Sequence, residues 1–209
     1  MRRATLILLC LLGGAAVASD DGERLVEGFV NGIETFQGEF RQTLLDPDGE
    51  VLEETRGSLQ IRRPGQFRWD NTDPYEQQLV ADGLNIWSYD VDLEQVTVKP
   101  QVETLANTPA LILSGSGSAL EQFNVVESYV EAAHTWVRLE PKAADAGFSR
   151  MEMGFVDGQL DRLVFFDTLA QTTLVQFDDV VVNESIEPER FVFSVPEFAD
   201  VIGTPARAE

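Results

Sequence analysis

Residues 57–70 alternate between apolar and polar side chains, which is the two-residue period of a β-strand. One face of the predicted strand is apolar and carries a single positive charge, Arg63. A guanidinium among apolar side chains is destabilising unless its donors find acceptors. We therefore expect carbonyl or carboxylate oxygens of a covering element to bind Arg63; the alternative is that Pro64 ends the strand and Arg63 points to water. The apolar side chains that share the parity of Arg63 are Leu59, Ile61, Phe67 and Trp69.

A helical pattern precedes this strand. Its apolar side chains recur at three- and four-residue spacing, and its first residues are acidic, which suits the positive end of a helix dipole. The pattern predicts an amphipathic helix over residues 21–36 that ends near Gly38. Because one side of this helix is apolar, another element has to cover it. The apolar positions are Leu25, Val26, Phe29, Ile33 and Phe36.

Most of the remaining chain reads as short strands joined by tight turns. Asp46-Pro47-Asp48-Gly49, Asp82-Gly83 and Asp157-Gly158 are turn sequences, which favour antiparallel neighbours over crossover units. The predicted strands number about ten or eleven, enough to reach barrel size. Beyond residues 57–70, strands are predicted at 40–44, 51–55, 77–81, 85–89, 96–98, 123–129, 135–139, 149–156, 160–166 and 172–182, and residues 187–193 are predicted as a short turn that leads into a last strand.

Residues 100–122 interrupt the strand pattern with short helical pieces. Thr108 and Pro109 predict the start of one piece, as its cap and its first position. Its apolar cluster is too short to form a core and has to pack on the sheet. The Gly-Ser run at 114–118 is predicted to be mobile, and a mobile piece beside an apolar face suits a gate. The apolar cluster comprises Leu111, Ile112 and Leu113.

A sheet of this size that curls round has an interior, and two interpretations of that interior stay open. In the first, side chains fill the interior and the helices are ordinary core elements, as is common for aromatic stripes. In the second, the interior is a ligand cavity and the same helices form a lid. Periodicity alone does not separate them.

The N-terminus has the pattern of a secretory signal peptide. A basic start, Met1-Arg2-Arg3, precedes an apolar run and a small-residue cleavage site that ends at Ala18. This predicts removal of residues 1–18 and export of residues 19–209 as a single domain; the run is too short for a transmembrane helix. Cys10, the single cysteine, lies inside the run without a lipid-modification motif, so the exported chain is predicted to lack disulfides and a lipid anchor.

The charge balance excludes some partners. The chain has 36 acidic and 15 basic residues and a formal net charge of −21 at pH 7. Such a surface repels nucleic acids and anionic membranes, so we expect neither as a partner. A dispersed acidic surface also suits high external salt, which screens self-repulsion, and a salt-adapted bacterium is a hypothesis from this pattern.

The sequence offers little for catalysis. The single histidine, His134, has no partner motif, and without a further cysteine there is no metal-ligand cluster or nucleophile triad. Gly115-Ser116-Gly117 lacks the context and the lysine of a phosphate-binding loop. The residues therefore predict a secreted binding protein for an apolar ligand, with no enzyme activity, no metal and no cofactor.

Several motifs together resemble one known family. Arg63-Pro64 precedes Phe67 and Trp69, and the C-terminal segment 190–196 also matches the family's ending. In this order and spacing, which span most of the chain, the sequence resembles the LolA family of outer-membrane lipoprotein carriers. The motifs between these two are Leu79-Val80, Asp82-Gly83, Trp87-Ser88-Tyr89, Asn107-Thr108-Pro109 and Leu111-Ile112.

The resemblance implies an α+β fold that is mainly β: an incomplete antiparallel β-barrel with an N-terminal amphipathic helix and short helical lid pieces over a hydrophobic cavity. It implies a periplasmic monomer that takes acylated lipoproteins from an inner-membrane ABC transporter. The cargo passes to an outer-membrane receptor of similar fold, without stable membrane insertion of the carrier. The alternatives are a periplasmic binding protein for another lipid or glycolipid, and an interaction module with a filled core.

The predicted site residues fall into three groups, and three of them, Arg63, Phe67 and Trp69, are carried over from the resemblance by position. Arg63 matches the family arginine that latches the closed lid, and its hydrogen bonds would limit affinity for acyl chains. The predicted cavity residues are Leu59, Ile61, Phe67, Trp69, Trp87, Met151, Met153 and Phe155. The predicted lid residues are Leu25, Phe29, Ile33, Leu111, Ile112 and Leu113.

Overall fold

The computed structural model describes residues 19–105, 110–115, 120–144 and 146–207. Four sequence predictions lie outside the described residues. They are the signal peptide at 1–18, the helix start at Thr108 and Pro109, residues 116–118 of the Gly-Ser run, and the side chain of Leu111.

The described chain forms three short helices and twelve strands. The helices are α1 Ser19–Gly32, α2 Gln101–Leu105 and α3 Ala110–Ser114. Two 3₁₀ turns lie at Leu120–Gln122 and Pro188–Phe191. The strands are β1 Thr35–Leu45, β2 Val51–Arg62, β3 Gln66–Asp73, β4 Gln77–Asp82, β5 Asn85–Asp90, β6 Gln95–Pro100, β7 Phe123–Glu131, β8 His134–Pro141, β9 Phe148–Val156, β10 Gln159–Asp167, β11 Thr172–Val182 and β12 Asp200–Gly203.

All twelve strands belong to one open sheet. Its order is β12-β6-β5-β4-β3-β2-β1-β11-β10-β9-β8-β7, so each half of the chain forms a meander and β1 joins the halves by pairing with β11. The mainly β architecture with helices is confirmed. Two details differ from the prediction. The sheet has twelve strands where about ten or eleven were expected, and β12 runs parallel to β6.

The strand predicted over residues 57–70 is a hairpin. The turn at Arg63–Gly65 separates β2 from β3, and Gly65 has a φ of +78°, which a glycine adopts without strain. Cα partners across the hairpin are Ile61 with Phe67 and Leu59 with Trp69. Directly paired residues point to the same face, so the predicted apolar face survives although the chain reverses.

One other element boundary was wrong, and the last strand lies later than the tail pattern indicates. The helix ends at Gly32, and Phe36 lies in β1, because the backbone from Thr35 pairs with β2 and, at Phe36, also with β11. The predicted turn in the tail is the 3₁₀ turn Pro188–Phe191, and an extended segment follows it. The last strand comes later, at Asp200–Gly203, where a short exposed segment pairs with β6.

The two faces of the sheet have different covers. We call the face under α1 and α3 the lid face, and these two helices together with α2 the lid. The buried cluster there contains Val26 and Phe29 from α1 and Ile112 and Leu113 from α3. Residues 184–207, the C-terminal strap, contact the opposite face: the Trp87 and Phe193 rings stack at 5.4 Å between centroids.

Candidate functional site

Arg63 joins the sheet to both ends of the lid. Its Nη1 donates to the carbonyl oxygens of Phe29 and, at 3.0 Å, Ile33; its Nη2 donates to the Leu113 carbonyl at 3.3 Å. Phe29 lies in the last turn of α1, Ile33 directly follows that helix, and Leu113 lies in α3. We call Arg63 and these three carbonyl groups the latch. The alternative in which Arg63 points to water is therefore wrong.

The surroundings of the guanidinium are largely apolar. Its central carbon lies 4.6 Å from the centroid of the Phe29 ring, within the range of a cation–π contact. Burial lowers the pKa of Arg63 to about 10, so the side chain stays charged at neutral pH. Its Nε is buried and finds no hydrogen-bond partner among the described residues. Closure therefore carries a desolvation cost that partly offsets the latch hydrogen bonds.

The chain after α3 lies against the latch. Gly115 has a φ of +60°, and a Cβ built on it would lie 2.1 Å from both Cδ and Nε of Arg63. The Gly65 amide, in the same turn as Arg63, donates to the Ser114 carbonyl at 3.1 Å. Glycine at position 115 is thus required for this close approach.

Below the latch, the predicted cavity and lid residues other than Trp87 and Leu111 form one cluster. The side chain of Trp69 is partly buried against it, and its ring centroid lies 4.3 Å from that of Phe40. The lid residues Leu25 and Ile33 also pack against it and are partly buried. The buried members among the predicted site residues are Leu59, Ile61, Phe67, Met151, Met153, Phe155, Phe29, Ile112 and Leu113.

Trp87 was wrongly predicted to line the cavity. It pairs with Val80, whereas the neighbouring pair Ile86 and Ala81 belongs to the lid-face cluster, so Trp87 points to the opposite face. There its Nε1 donates to Oδ2 of Asp82 at 2.8 Å, and its ring stacks on Phe193. Because both faces of these strands are covered, both parities are apolar and sequence alone does not assign Trp87 to a face.

Sequence reasoning missed several aromatic members of the cluster. Phe36 packs edge-to-face on Phe29 at 6.1 Å and on Phe177 at 5.4 Å between ring centroids. Phe177 and Val175 alternate along β11, and β11 is paired with β1, which carries Phe36 and Phe40. The two-residue alternation of these side chains could have identified them, but Phe36 also fits the helical spacing of α1 and was assigned to that helix.

A pocket opens beside α1 at the edge of the lid face. Its volume is about 290 Å³, and apolar side chains from the 3₁₀ turn, β7 and β8 line it, including Phe123 and Leu139. Glu23, Glu27 and Lys142 also line it. Since Phe123 and Leu139 belong to the lid-face cluster, the pocket is continuous with that cluster.

His134 has a structural partner that its sequence context did not reveal. Its Nε2 lies 2.7 Å from Oδ2 of Asp161 and its Nδ1 lies 2.9 Å from the Ala132 carbonyl. The ring also stacks against Trp136, with centroids 5.5 Å apart. These contacts join β8 to the β9–β10 side of the sheet, away from the latch.

In the described ranges, no helix is both long enough and apolar enough to cross a membrane.

Comparison with known proteins decides the family. The family model described as outer membrane lipoprotein carrier protein LolA matches residues 31–194, which include Arg63 and the sheet from β1 to β11. The chain belongs to the LolA family. The match includes much of the lid face, and α1 up to Val30 precedes it.

Individual LolA-family relatives align over nearly the full chain. The outer-membrane lipoprotein carrier protein of Halorhodospira halophila is 37% identical over 201 residues, 96% of this chain and 94% of that protein. The protein of the same name from Hahella chejuensis is 37% identical over 205 residues, 97% of this chain and 98% of that protein.

A solved structure of an uncharacterized conserved protein from Thermus thermophilus has a similar fold. Its TM-score is 0.54 at 14% identity, and the match covers 89% of this chain and 99% of that chain. At this identity the likeness concerns the fold alone.

Proposed function

We propose that this LolA-family protein is a periplasmic chaperone that carries acylated lipoproteins to the outer membrane and holds their acyl chains against the lid face. One observation carries this proposal: Arg63 fastens α1 and α3, through three carbonyl oxygens, over a continuous apolar cluster. An ordinary core needs no partly desolvated cation to hold its cover, whereas a removable cover benefits from a polar fastening that can break and re-form.

The energetics of such a carrier limit affinity. Burial of an acyl chain contributes about 0.8 kcal/mol per methylene, so one long chain alone would bind too tightly to be released on demand. In the closed state, the lid side chains Phe29, Ile112 and Leu113 occupy the space over the sheet that acyl chains would need. Each latch hydrogen bond to the cation contributes about 1.5–3 kcal/mol to closure, and the closed state lowers the observed affinity for cargo accordingly.

Loading and delivery are then two transfers of acyl chains, from the transporter to the carrier and from the carrier to the receptor. An inner-membrane ABC transporter supplies the energy for loading, because insertion of acyl chains separates the lid from Arg63. Delivery to an outer-membrane receptor of similar fold is downhill when opening costs the receptor less. The carrier binds and releases its cargo without a covalent step, so we propose neither enzyme activity nor a cofactor.

The location follows from the same proposal. Residues 1–18 act as a cleaved signal peptide, and the exported part works in the periplasm as a monomer. Its acidic surface keeps it off anionic membranes, in line with the formal net charge of −21.

The decisive experiment measures extraction and delivery. Inner-membrane vesicles that contain the lipoprotein-releasing transporter and a triacylated lipoprotein are mixed with the purified protein, with and without ATP. We expect ATP-dependent appearance of a soluble complex, and then loss of its cargo to vesicles that carry the receptor. A protein that stays without lipoprotein under these conditions would contradict the proposal.

The same preparation tests the two alternatives. Lipid extraction and mass spectrometry of the purified protein would identify a bound lipid or glycolipid if that is the natural ligand. Failure to bind an environment-sensitive apolar dye, in both the wild-type protein and an unlatched variant, would favour a permanently filled core.

A further inference from the structure

Gln101 makes an unusual set of contacts at the start of the lid. It is the first residue of α2 and is 6% exposed. Its backbone amide donates to the Leu84 carbonyl at 2.8 Å, and its side-chain Nε2 donates to the Gly65 carbonyl at 2.6 Å. Its Oε1 accepts a hydrogen bond from the Gly83 amide at 3.0 Å. One side chain thus joins the β2–β3 turn to the β4–β5 turn.

The first of these turns carries the latch. Gly65 follows Arg63 by two residues, and a Cβ added to Gly65 would lie 3.3 Å from Nε2 of Gln101, so the amide fits closely against the turn. Gly65 also donates to the Ser114 carbonyl at 3.1 Å. The turn therefore contacts α2 through Gln101 at one end of the lid and α3 through Ser114 at the other.

The second turn provides a fixed support. Oδ1 of Asp82 accepts hydrogen bonds from the amides of Leu84 at 2.8 Å and Asn85 at 2.7 Å, and Oδ2 accepts from Trp87. Asp82 therefore holds the turn that presents Gly83 to Gln101. Because Gln101 contacts this braced turn, the start of α2 is the fixed end of the lid, and α3 is the end that has to separate from Arg63.

We propose that Gln101 is a positioning residue for release: it holds the Arg63 turn in the orientation in which the guanidinium meets the lid carbonyls. This inference rests on the proposed carrier function. Gln101 acts through Arg63 and does not contact cargo. Loss of its hydrogen bond to Gly65 lets the turn move, which weakens closure and makes release slower. Loading is unaffected, because during loading the lid is already separated from Arg63.

The test compares two glutamines of the same hairpin region. In Gln101→Glu, a carboxylate replaces the amide donor beside the Gly65 carbonyl but can still accept from Gly83. The matched control is Gln66→Glu, because Nε2 of Gln66 also donates to a backbone carbonyl, that of Asp82 at 3.2 Å, and this acceptor lies in β4 and not in the lid. We expect Gln101→Glu to slow delivery to receptor vesicles by about threefold to tenfold, the range for one hydrogen bond, and Gln66→Glu to deliver at the wild-type rate.

A double variant separates positioning from general destabilisation. With Arg63→Leu already present, Gln101→Glu is expected to cause no further slowing, because there is no latch left to position. Equal delivery by Gln101→Glu and Gln66→Glu, or full additivity with Arg63→Leu, would overturn the inference. If the glutamate variant does not fold, Gln101→Met removes both side-chain hydrogen bonds without a charge and is judged by the same criteria. Failure of the wild-type protein to load lipoprotein would instead contradict the carrier function itself.

Discussion

The two faces of the sheet are covered in contrasting ways. On the lid face, the fastening of α1 and α3 is concentrated at one turn, where Arg63 holds both helices and the Gly65 amide holds Ser114, while Nε of Arg63 has no partner among the described residues. On the opposite face, the strap is held at separate points. Asn85 and Ala206 exchange two hydrogen bonds, at 3.2 and 2.6 Å, and Nε of Arg190 donates to Gln60 at 3.0 Å. Concentrated fastening suits a cover that detaches, and distributed fastening suits one that stays.

The largest expected effect comes from removal of the cation. Arg63→Leu deletes all latch hydrogen bonds and the desolvation cost together, so the open state is no longer disfavoured. We expect loading at the wild-type rate and delivery to receptor vesicles slowed by about a hundredfold, since the loss of even two charged hydrogen bonds is worth that factor.

The matched control for this variant is Arg190→Leu, which removes a strap contact on the opposite face. It should deliver cargo normally. Equal delivery rates for Arg63→Leu and the wild-type protein would show that the contrast between the faces has no functional meaning.

Gly115→Ala should have the next largest effect. A methyl group at this position would overlap the Arg63 side chain, so the latch has to shift or break. We expect delivery to slow by about tenfold, because part of the latch is lost while the cation remains. The control is Gly49→Ala: Gly49 also has a positive φ, +83°, but no atom lies within 4 Å of its added Cβ. If both alanine variants slowed delivery equally, backbone strain and not latch contact would be the cause.

A strap variant should separate stability from function. Asn85 is 4% exposed, and Asn85→Ala leaves the backbone of Ala206 without its partners. We expect the free energy of unfolding, measured by urea denaturation, to fall by about 2 kcal/mol. Delivery at a temperature where the variant stays folded should change by less than about twofold. A large loss of delivery in the folded variant would mean that the strap also takes part in release.

The smallest effect is expected from pH. Burial lowers the pKa of Arg63 from its ordinary value to about 10, which is still far above neutrality, so the closed and open states bind the same number of protons near pH 7. Closure would gain stability from deprotonation only above the lower pKa. The delivery rate of the wild-type protein is therefore expected to differ from that of Arg63→Leu by a constant factor between about pH 6 and 8. A ratio that changes strongly over this range would point to another titrating group in the latch.

The sequence predicted the lid face well where one physical pattern acted alone. Leu59, Ile61, Phe67 and Trp69 kept their common face because the turn at Arg63–Gly65 preserves cross-strand pairing. It also identified Arg63 as a cation that required acceptors, since its neighbours are apolar. The sequence could not predict which carbonyl groups bind Arg63, because every residue has a backbone carbonyl.

The wrong predictions arose where two patterns overlapped. Ile33 and Phe36 continue the helical spacing of α1, but strand pairing from Thr35 outweighs that local preference. Trp87 lies in a strand that is covered on both sides, so alternation carried no information about its face. Strand β12 is exposed along its whole length and is defined by backbone pairing with β6, so apolar periodicity indicated a last strand but did not define its bounds.

The order of the strands has a consequence for the connection that contains the lid helices α2 and α3. This connection is the crossover between the two meanders, β1 to β6 on one side and β7 to β11 on the other. Proteolytic cleavage there would produce two fragments that stay paired at two places, through β1 with β11 and through β6 with β12. Cleavage in this connection would thus leave the sheet assembled, as a non-covalent pair of half-molecules.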